Sequence, residues 1–98
     1  MAFIQIIEGR TSRGDEIDAL SADLEDRTQG RFTARRSIRT QDREDSSHFM
    51  VIVFFDSYES AMENSSLPET DEFSRKMAEL LDGPPTFYNL EVVDDKSF

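Results

Sequence analysis

The segment His48-Phe49-Met50-Val51-Ile52-Val53-Phe54-Phe55 limits what this chain can fold into more than any other, because both of its alternating sets of side chains are apolar. A strand turns successive side chains to opposite faces, so one wet face would give an apolar–polar alternation. An unbroken apolar run bounded by polar residues instead reads as a strand covered on both sides. The rest of the sequence holds too few helices to cover both faces of a sheet. A second subunit is the cover that remains.

The other elements follow from periodicity and breakers. The first strand runs from about Phe3 to Glu8, with Ile4 and Ile6 on one face and Phe3 and Ile7 on the other. Thr11 or Ser12 can cap a helix that starts near Arg13 or Asp15. Asp15 and Glu16 suit its positive end, and Gly30 is a stop. Within it Ile17, Leu20 and Leu24 form one buried stripe. A second strand reads from about Arg31 to Thr40, with Phe32, Ala34, Arg36 and Ile38 sharing one face and Arg31, Arg35 and Arg39 a ladder on the other. The charged turn Gln41–Ser47 leads into the doubly apolar strand. Asp56 and Glu59 have capping-box spacing for a short helix, and Pro68 suits the first turn of another. In that one Phe73, Met77, Leu80 and Leu81 fall on one face before Gly83-Pro84-Pro85 ends it, and a last strand spans Thr86 to Val93.

The order is β-α-β-β-α-β with its second helical region broken. It predicts an α+β ferredoxin-like domain over residues 1–98: a four-stranded antiparallel sheet with the helices on one face. Phe3, Ile7 and part of the third and last strands are expected on the open side. An apolar area of that size predicts a homodimer paired through the open sheet face.

Composition closes off several functions. With no cysteine and one histidine, thiolate and multi-histidine metal sites are out of reach, and no metal is expected. A net charge of −10 opposes nucleic acid and anionic membranes as partners. The first residues lack the charge and length of a signal peptide, and no apolar run approaches the roughly 20 residues of a membrane span. A cytoplasmic protein is expected. There is no phosphate-binding glycine loop, dinucleotide fingerprint, serine elbow or HExxH.

The element order, the length and the segment Phe55-Asp56-Ser57-Tyr58-Glu59-Ser60-Ala61-Met62-Glu63-Asn64-Ser65-Ser66-Leu67-Pro68 resemble the dimeric α/β-barrel superfamily, and within it the antibiotic-biosynthesis-monooxygenase-like domains. The stretch Leu67–Val93, with Asp82-Gly83-Pro84-Pro85-Thr86-Phe87, is also similar to small actinobacterial proteins of this type. The resemblance implies a dimer with an apolar cleft between helices and sheet. Haem-degrading members carry a histidine and a tryptophan at positions that fall near Ser74 and Asn64, so it implies no haem. Monooxygenase members need no cofactor, because an electron-rich phenol or hydroquinone reduces oxygen itself while the protein stabilises its anion. None is expected here.

Seven residues are candidates for a site. His48 is the one imidazole and a candidate base, and Asn64 on the short helix is a candidate polar donor. Arg36, in an apolar strand face expected to point at the helices, needs a carboxylate or an anionic ligand. Tyr58, Phe54, Phe73 and Met77 would line the cleft, which suits a small apolar or anionic molecule; Tyr88 is a further hydrogen-bonding candidate. Three functions remain open: cofactor-free oxygenation of a small aromatic or enolisable substrate, isomerisation or decarboxylation of an enolisable acid held by Arg36, and binding without chemistry.

Overall fold

The computed structural model describes residues 1–98. Its elements are β1 (Phe3–Arg10), α1 (Gly14–Arg27), β2 (Arg36–Gln41), β3 (His48–Phe55), α2 (Tyr58–Ser65), α3 (Pro68–Leu80) and β4 (Thr86–Glu91). The strands form one antiparallel sheet in the order β2-β3-β1-β4. This is the ferredoxin-like α+β arrangement that the sequence pattern predicts, including the break in the second helical region.

Local chemistry moves several boundaries. β2 starts at Arg36 instead of near Arg31. Gly30 turns the chain at φ 82°, which favours glycine. Beyond it the Thr33 N–H donates to Asn64 Oδ1 at 3.2 Å and the Phe32 N–H to the Thr28 carbonyl at 3.0 Å, so this stretch is tied to helices before it joins the sheet. Thr11 Oγ1 accepts from the Arg13 N–H at 2.9 Å and donates to the Leu80 carbonyl at 2.7 Å, joining the start of α1 to the end of α3. Ser57, not Asp56, caps α2 by accepting from the Ser60 N–H at 3.1 Å. Asp56 pairs with Arg35 instead. Pro68 occupies the first turn of α3, where its missing N–H costs nothing.

Strand register decides which side chains share a face. Phe3, Phe55 and Ala61 make one core cluster under the helices. Ile17, Phe49 and Met77 make the other, with Ile7, Val51, Phe73, Leu80 and Leu81 packed around it. A side chain at Gly9 would press on the Phe49 ring at 3.3 Å, so glycine there lets β1 lie close under that ring. The open face carries rows read straight across the sheet. Arg36, Phe54, Ile4 and Leu90 come first; then Ile38, Ile52, Ile6 and Tyr88; then Thr40, Met50, Glu8 and Thr86; and last His48 with Arg10.

Two expectations are corrected by this register. Phe3 and Ile7 face the helices, and Ile4 and Ile6 face outward; alternation separates the two apolar sets of a strand without saying which set the helices cover. Arg36 and Ile38 also lie on the open face. Arg39 is the arginine under the helices, 2.9 Å from Asp18 of α1 and 5.4 Å over the Phe49 ring. Arg31 and Arg35 precede β2 and pair with Glu69 and Asp56, so no arginine ladder runs along one face.

β4 stands apart from the other strands. It is an edge strand whose packing partner is β1, and all of its residues are exposed. The helices cover β3 and most of β1 and stop short of it.

Candidate functional site

The interior expected to form a cleft is closed at its α3 end. Met77 is 2% exposed against Ile17 and Phe49, and Phe73 packs on the same cluster. Both act as core, filling the volume a ligand would need there.

Asn64 is 6% exposed and lies on the α2 face that also carries Ala61. Its Oδ1 accepts from the Thr33 backbone N–H at 3.2 Å, which assigns the carbonyl oxygen to that side. The amide thus joins α2 to the segment before β2. Tyr58 and Met62 project from a different face of α2, toward solvent, with Tyr58 edge-on to the Phe3 ring at 5.4 Å.

The uncovered part of the sheet on the helix side runs along β1 and β4. Asn89 and Phe87 share this face with Gln5 and Ile7, their partners in register. Gln5 Nε2 donates to Asn89 Oδ1 at 3.3 Å, which leaves the Asn89 amide N–H groups free. Phe87 and Tyr58 are each 50% exposed. The result is a shelf with aromatic rings at its two ends and an amide pair between them. The Phe3 and Ile7 rows are four residues apart, which makes the shelf about 13 Å long at the rise of a strand.

His48 belongs to a different place, at the far end of the open face. Its Nε2 is 2.8 Å from Glu8 Oε2 and its Nδ1 is 3.1 Å from Asp42 Oδ2. The Tyr88 hydroxyl donates to the other Glu8 oxygen at 2.9 Å. Two flanking carboxylates favour the charged form of the imidazole. Asp42 and then Glu8 push His48 above its usual 6.5, while His48 and Tyr88 pull Glu8 below 4.5. With both nitrogens engaged, the ring favours proton donation over the base role its sequence position suggests. Beside it, Glu8, Arg10, His48, Asp82 and Thr86 wall a cavity of about 270 Å³. Arg10 is paired there with Asp45. Nowhere do three His, Asp or Glu side chains converge in a way that could hold a metal ion.

Arg36 and Phe54 meet on the open face, with the guanidinium 5.6 Å from the ring centroid. Six residues of β3 separate Phe54 from His48, about 20 Å of strand. The structure therefore brings Arg36 to Phe54 and His48 to Glu8, Asp42 and Tyr88, but does not bring Arg36, His48 and Asn64 together. Sequence reasoning missed Glu8, Asp42, Gln5, Phe87 and Asn89. Glu8 carries a signal, since it is the one acid in the first strand. The other four depend on register.

No helix is long and apolar enough to cross a membrane. The sequence matches no protein-family model and no curated protein. Solved structures do match it over almost its whole length. Rv0793 from Mycobacterium tuberculosis superposes with a TM-score of 0.80 at 15% identity, covering 99% of this chain and 100% of its own. A Chloroflexus aurantiacus protein provisionally named an antibiotic biosynthesis monooxygenase gives a TM-score of 0.70 at 21% identity, over 99% of this chain and 98% of its own. A Deinococcus radiodurans protein with the same provisional name gives 0.77 at 11% identity, over 100% and 98%. Identities this low carry a fold and not an activity. The chain has the ferredoxin-like α+β fold of the antibiotic-biosynthesis-monooxygenase-like proteins.

Proposed function

We propose that this chain is a small-molecule-binding protein that pairs as a homodimer through the open sheet face, and that the shelf along β4 holds a small aromatic or enolisable substrate for cofactor-free oxygenation. The observation that carries the reading is that β4 presents Phe87 and Asn89 on the helix side where no helix covers them. An apolar surface with a few placed polar groups is the usual composition of a small-molecule site. Its length fits two or three fused rings. The free Asn89 amide is placed to stabilise a phenolate or enolate oxygen, the charge that builds up when such a substrate gives an electron to oxygen. The open-face rows Ile38-Ile52-Ile6 and Phe54-Ile4-Leu90 support the pairing, because apolar patches of that extent mark interaction surfaces. Arg36, on the open face, is away from the shelf, which weakens the isomerase and decarboxylase readings.

Binding without chemistry is the second reading. It is favoured by the closed interior behind the shelf, where Met77 and Phe73 leave no enclosed chamber to exclude water.

One set of measurements separates the two. Naphthols, hydroquinones and enolisable acids are screened by thermal shift, and every binder is followed in an oxygen electrode with no added cofactor. Oxygen uptake that Asn89→Ala slows supports the oxygenase. Binding that Phe87→Ala weakens, with no uptake, supports the binding reading. Ligands indifferent to both substitutions overturn the shelf as the site.

A further inference from the structure

Gln5 and Asn89 stand opposite each other in register, in the middle row of the shelf between the Phe3 and Ile7 rows. Two carboxamides side by side can exchange two hydrogen bonds. This pair makes one, from Gln5 Nε2 to Asn89 Oδ1 at 3.3 Å. Gln5 Oε1 and Asn89 Nδ2 are left without a partner in the protein. Turning both amides over does not alter this count, since Gln5 Nε2 and Asn89 Oδ1 would then be the free atoms. Either way the middle of the shelf offers one N–H donor and one carbonyl acceptor, on side chains whose Cβ atoms are about 5 Å apart.

The charges around the pair select against an ionised ligand. Alternation along β4 puts Glu91 on the same face as Asn89, opposite Phe3, and no cation pairs with it. The chain as a whole carries −10. An anion arriving on the shelf meets repulsion, and its three rows hold no arginine or lysine. A neutral ring that brings both a donor and an acceptor meets no such barrier and finds a partner for each. Tyr58 and Phe87, both half exposed, give such a ring aromatic surface to pack on at the two ends.

We propose that Gln5 and Asn89 together determine the specificity of the shelf, and that the ligand they select is a neutral planar ring with a lactam edge, an N–H beside a C=O. This inference rests on the shelf reading above and narrows its enolisable class. The lactam carbonyl accepts from the free amide N–H, and the lactam N–H donates to the free amide oxygen. The ligand thereby supplies the bond that the two amides do not make with each other. A ring with an oxygen in place of its N–H sets an acceptor against an acceptor and leaves the amide oxygen unpaired.

The test compares isocarbostyril, a benzo-fused lactam, with isocoumarin, which has the same outline and a ring oxygen in place of the N–H. Both are titrated into the full-length chain by NMR, with the side-chain amide resonances of Gln5 and Asn89 as reporters. Isocarbostyril should bind about three- to tenfold more tightly, the worth of one hydrogen bond, and should move both resonances. Gln5→Met keeps the length of the side chain and removes its amide, so the ratio should fall to about one. Phe87→Ala should weaken both ligands and leave the ratio in place. Equal affinities in the wild type, or a ratio that Gln5→Met does not change, overturn the role of the pair. A lactam that fails to bind where a naphthol binds in a Phe87-dependent way overturns this inference alone. If no ring of either kind depends on Phe87, the shelf falls and this inference with it. The wild-type comparison needs no substitution, and circular dichroism confirms the fold of each variant.

Discussion

Asn64 separates a structural reading from a catalytic one through stability alone. Its Oδ1 takes the Thr33 N–H at 3.2 Å, and its side chain is 6% exposed. Asn64→Ala leaves that N–H without an acceptor in a place water reaches poorly, which costs about 1–3 kcal/mol. Thr33 is itself only half-buried, so the lower part of that range applies, about 1–2 kcal/mol. For a domain of this size the melting temperature should fall by about 4–16 °C, at 4–8 °C per kcal/mol. Asn64→Asp keeps the acceptor and loses the amide donor. Its cost is a poorly hydrated charge near the negative end of α2, which vanishes once the carboxyl is protonated. Urea denaturation of both variants at neutral and at acid pH measures the difference. An alanine variant within about 0.5 kcal/mol of wild type, the usual scatter of neutral surface changes, refutes the structural role. An aspartate variant that stays as unstable as the alanine variant at acid pH, where its carboxyl is neutral, refutes the assignment of the oxygen. A catalytic donor would instead leave stability in place and lose ligand binding in Asn64→Asp.

Three further expectations follow from the packing and the charges. Met77→Ala empties the centre of the α1–α3–sheet cluster and should cost about 2–5 kcal/mol in denaturant titration, whereas a ligand-lining methionine would be removed almost without loss. The His48 ring, the chain's one imidazole, should titrate by NMR with a midpoint above 6.5, and a midpoint at or below that value contradicts the bridged geometry. Because His48 is raised, its contribution is complete below its unfolded value and fades as pH climbs through the folded one. Glu8 and Asp42 are lowered, so theirs fades as pH falls through their own folded values. The denaturation midpoint of wild type should therefore drop on the alkaline side of 6.5 more steeply than that of His48→Gln. Finally, a ligand of the shelf should tighten self-association, measurable as a lower dissociation constant at saturating ligand, and no change would mean that shelf and interface are independent.

Much of the fold was legible because it rests on periodicity. The β3 run, the α3 stripe of Phe73, Met77 and Leu80 and the Gly83-Pro84-Pro85 stop each announce their element without reference to the rest of the chain. What failed was pairwise. The assignment of Phe3 and Ile7 to the open side, and of Arg36 to the helices, went wrong because β1 carries two apolar sets of equal weight; only contact with Ala61 and Ile17 breaks the tie. The candidate site suffered more. His48 was singled out as the one imidazole, but its meaning comes from Glu8, Asp42 and Tyr88, which lie on three other stretches of chain. Asn64 reads as a cleft-lining polar donor because nothing local reveals that the chain after Gly30 folds back to give it an N–H.

The shelf and the open face belong to the same strand, and this shapes what β4 can do. Phe87 and Asn89 point to the helix side, Tyr88 and Leu90 to the open side, and one neighbour, β1, holds the strand in the sheet. An edge strand exposed on both faces is among the least stable parts of any sheet, since few buried contacts resist its local opening. Pairing that covers Tyr88 and Leu90 removes that opening and fixes the shelf at once. A ligand seated on Phe87 and Asn89 holds the same strand from the other side. Neither event needs a change of shape to influence the other, because both draw on the ordering of β4. The Glu8–Tyr88 hydrogen bond at 2.9 Å ties that ordering to His48. On the proposed reading, protonation at one end of the sheet, pairing on its open face and ligand on its helix side would therefore act on one element.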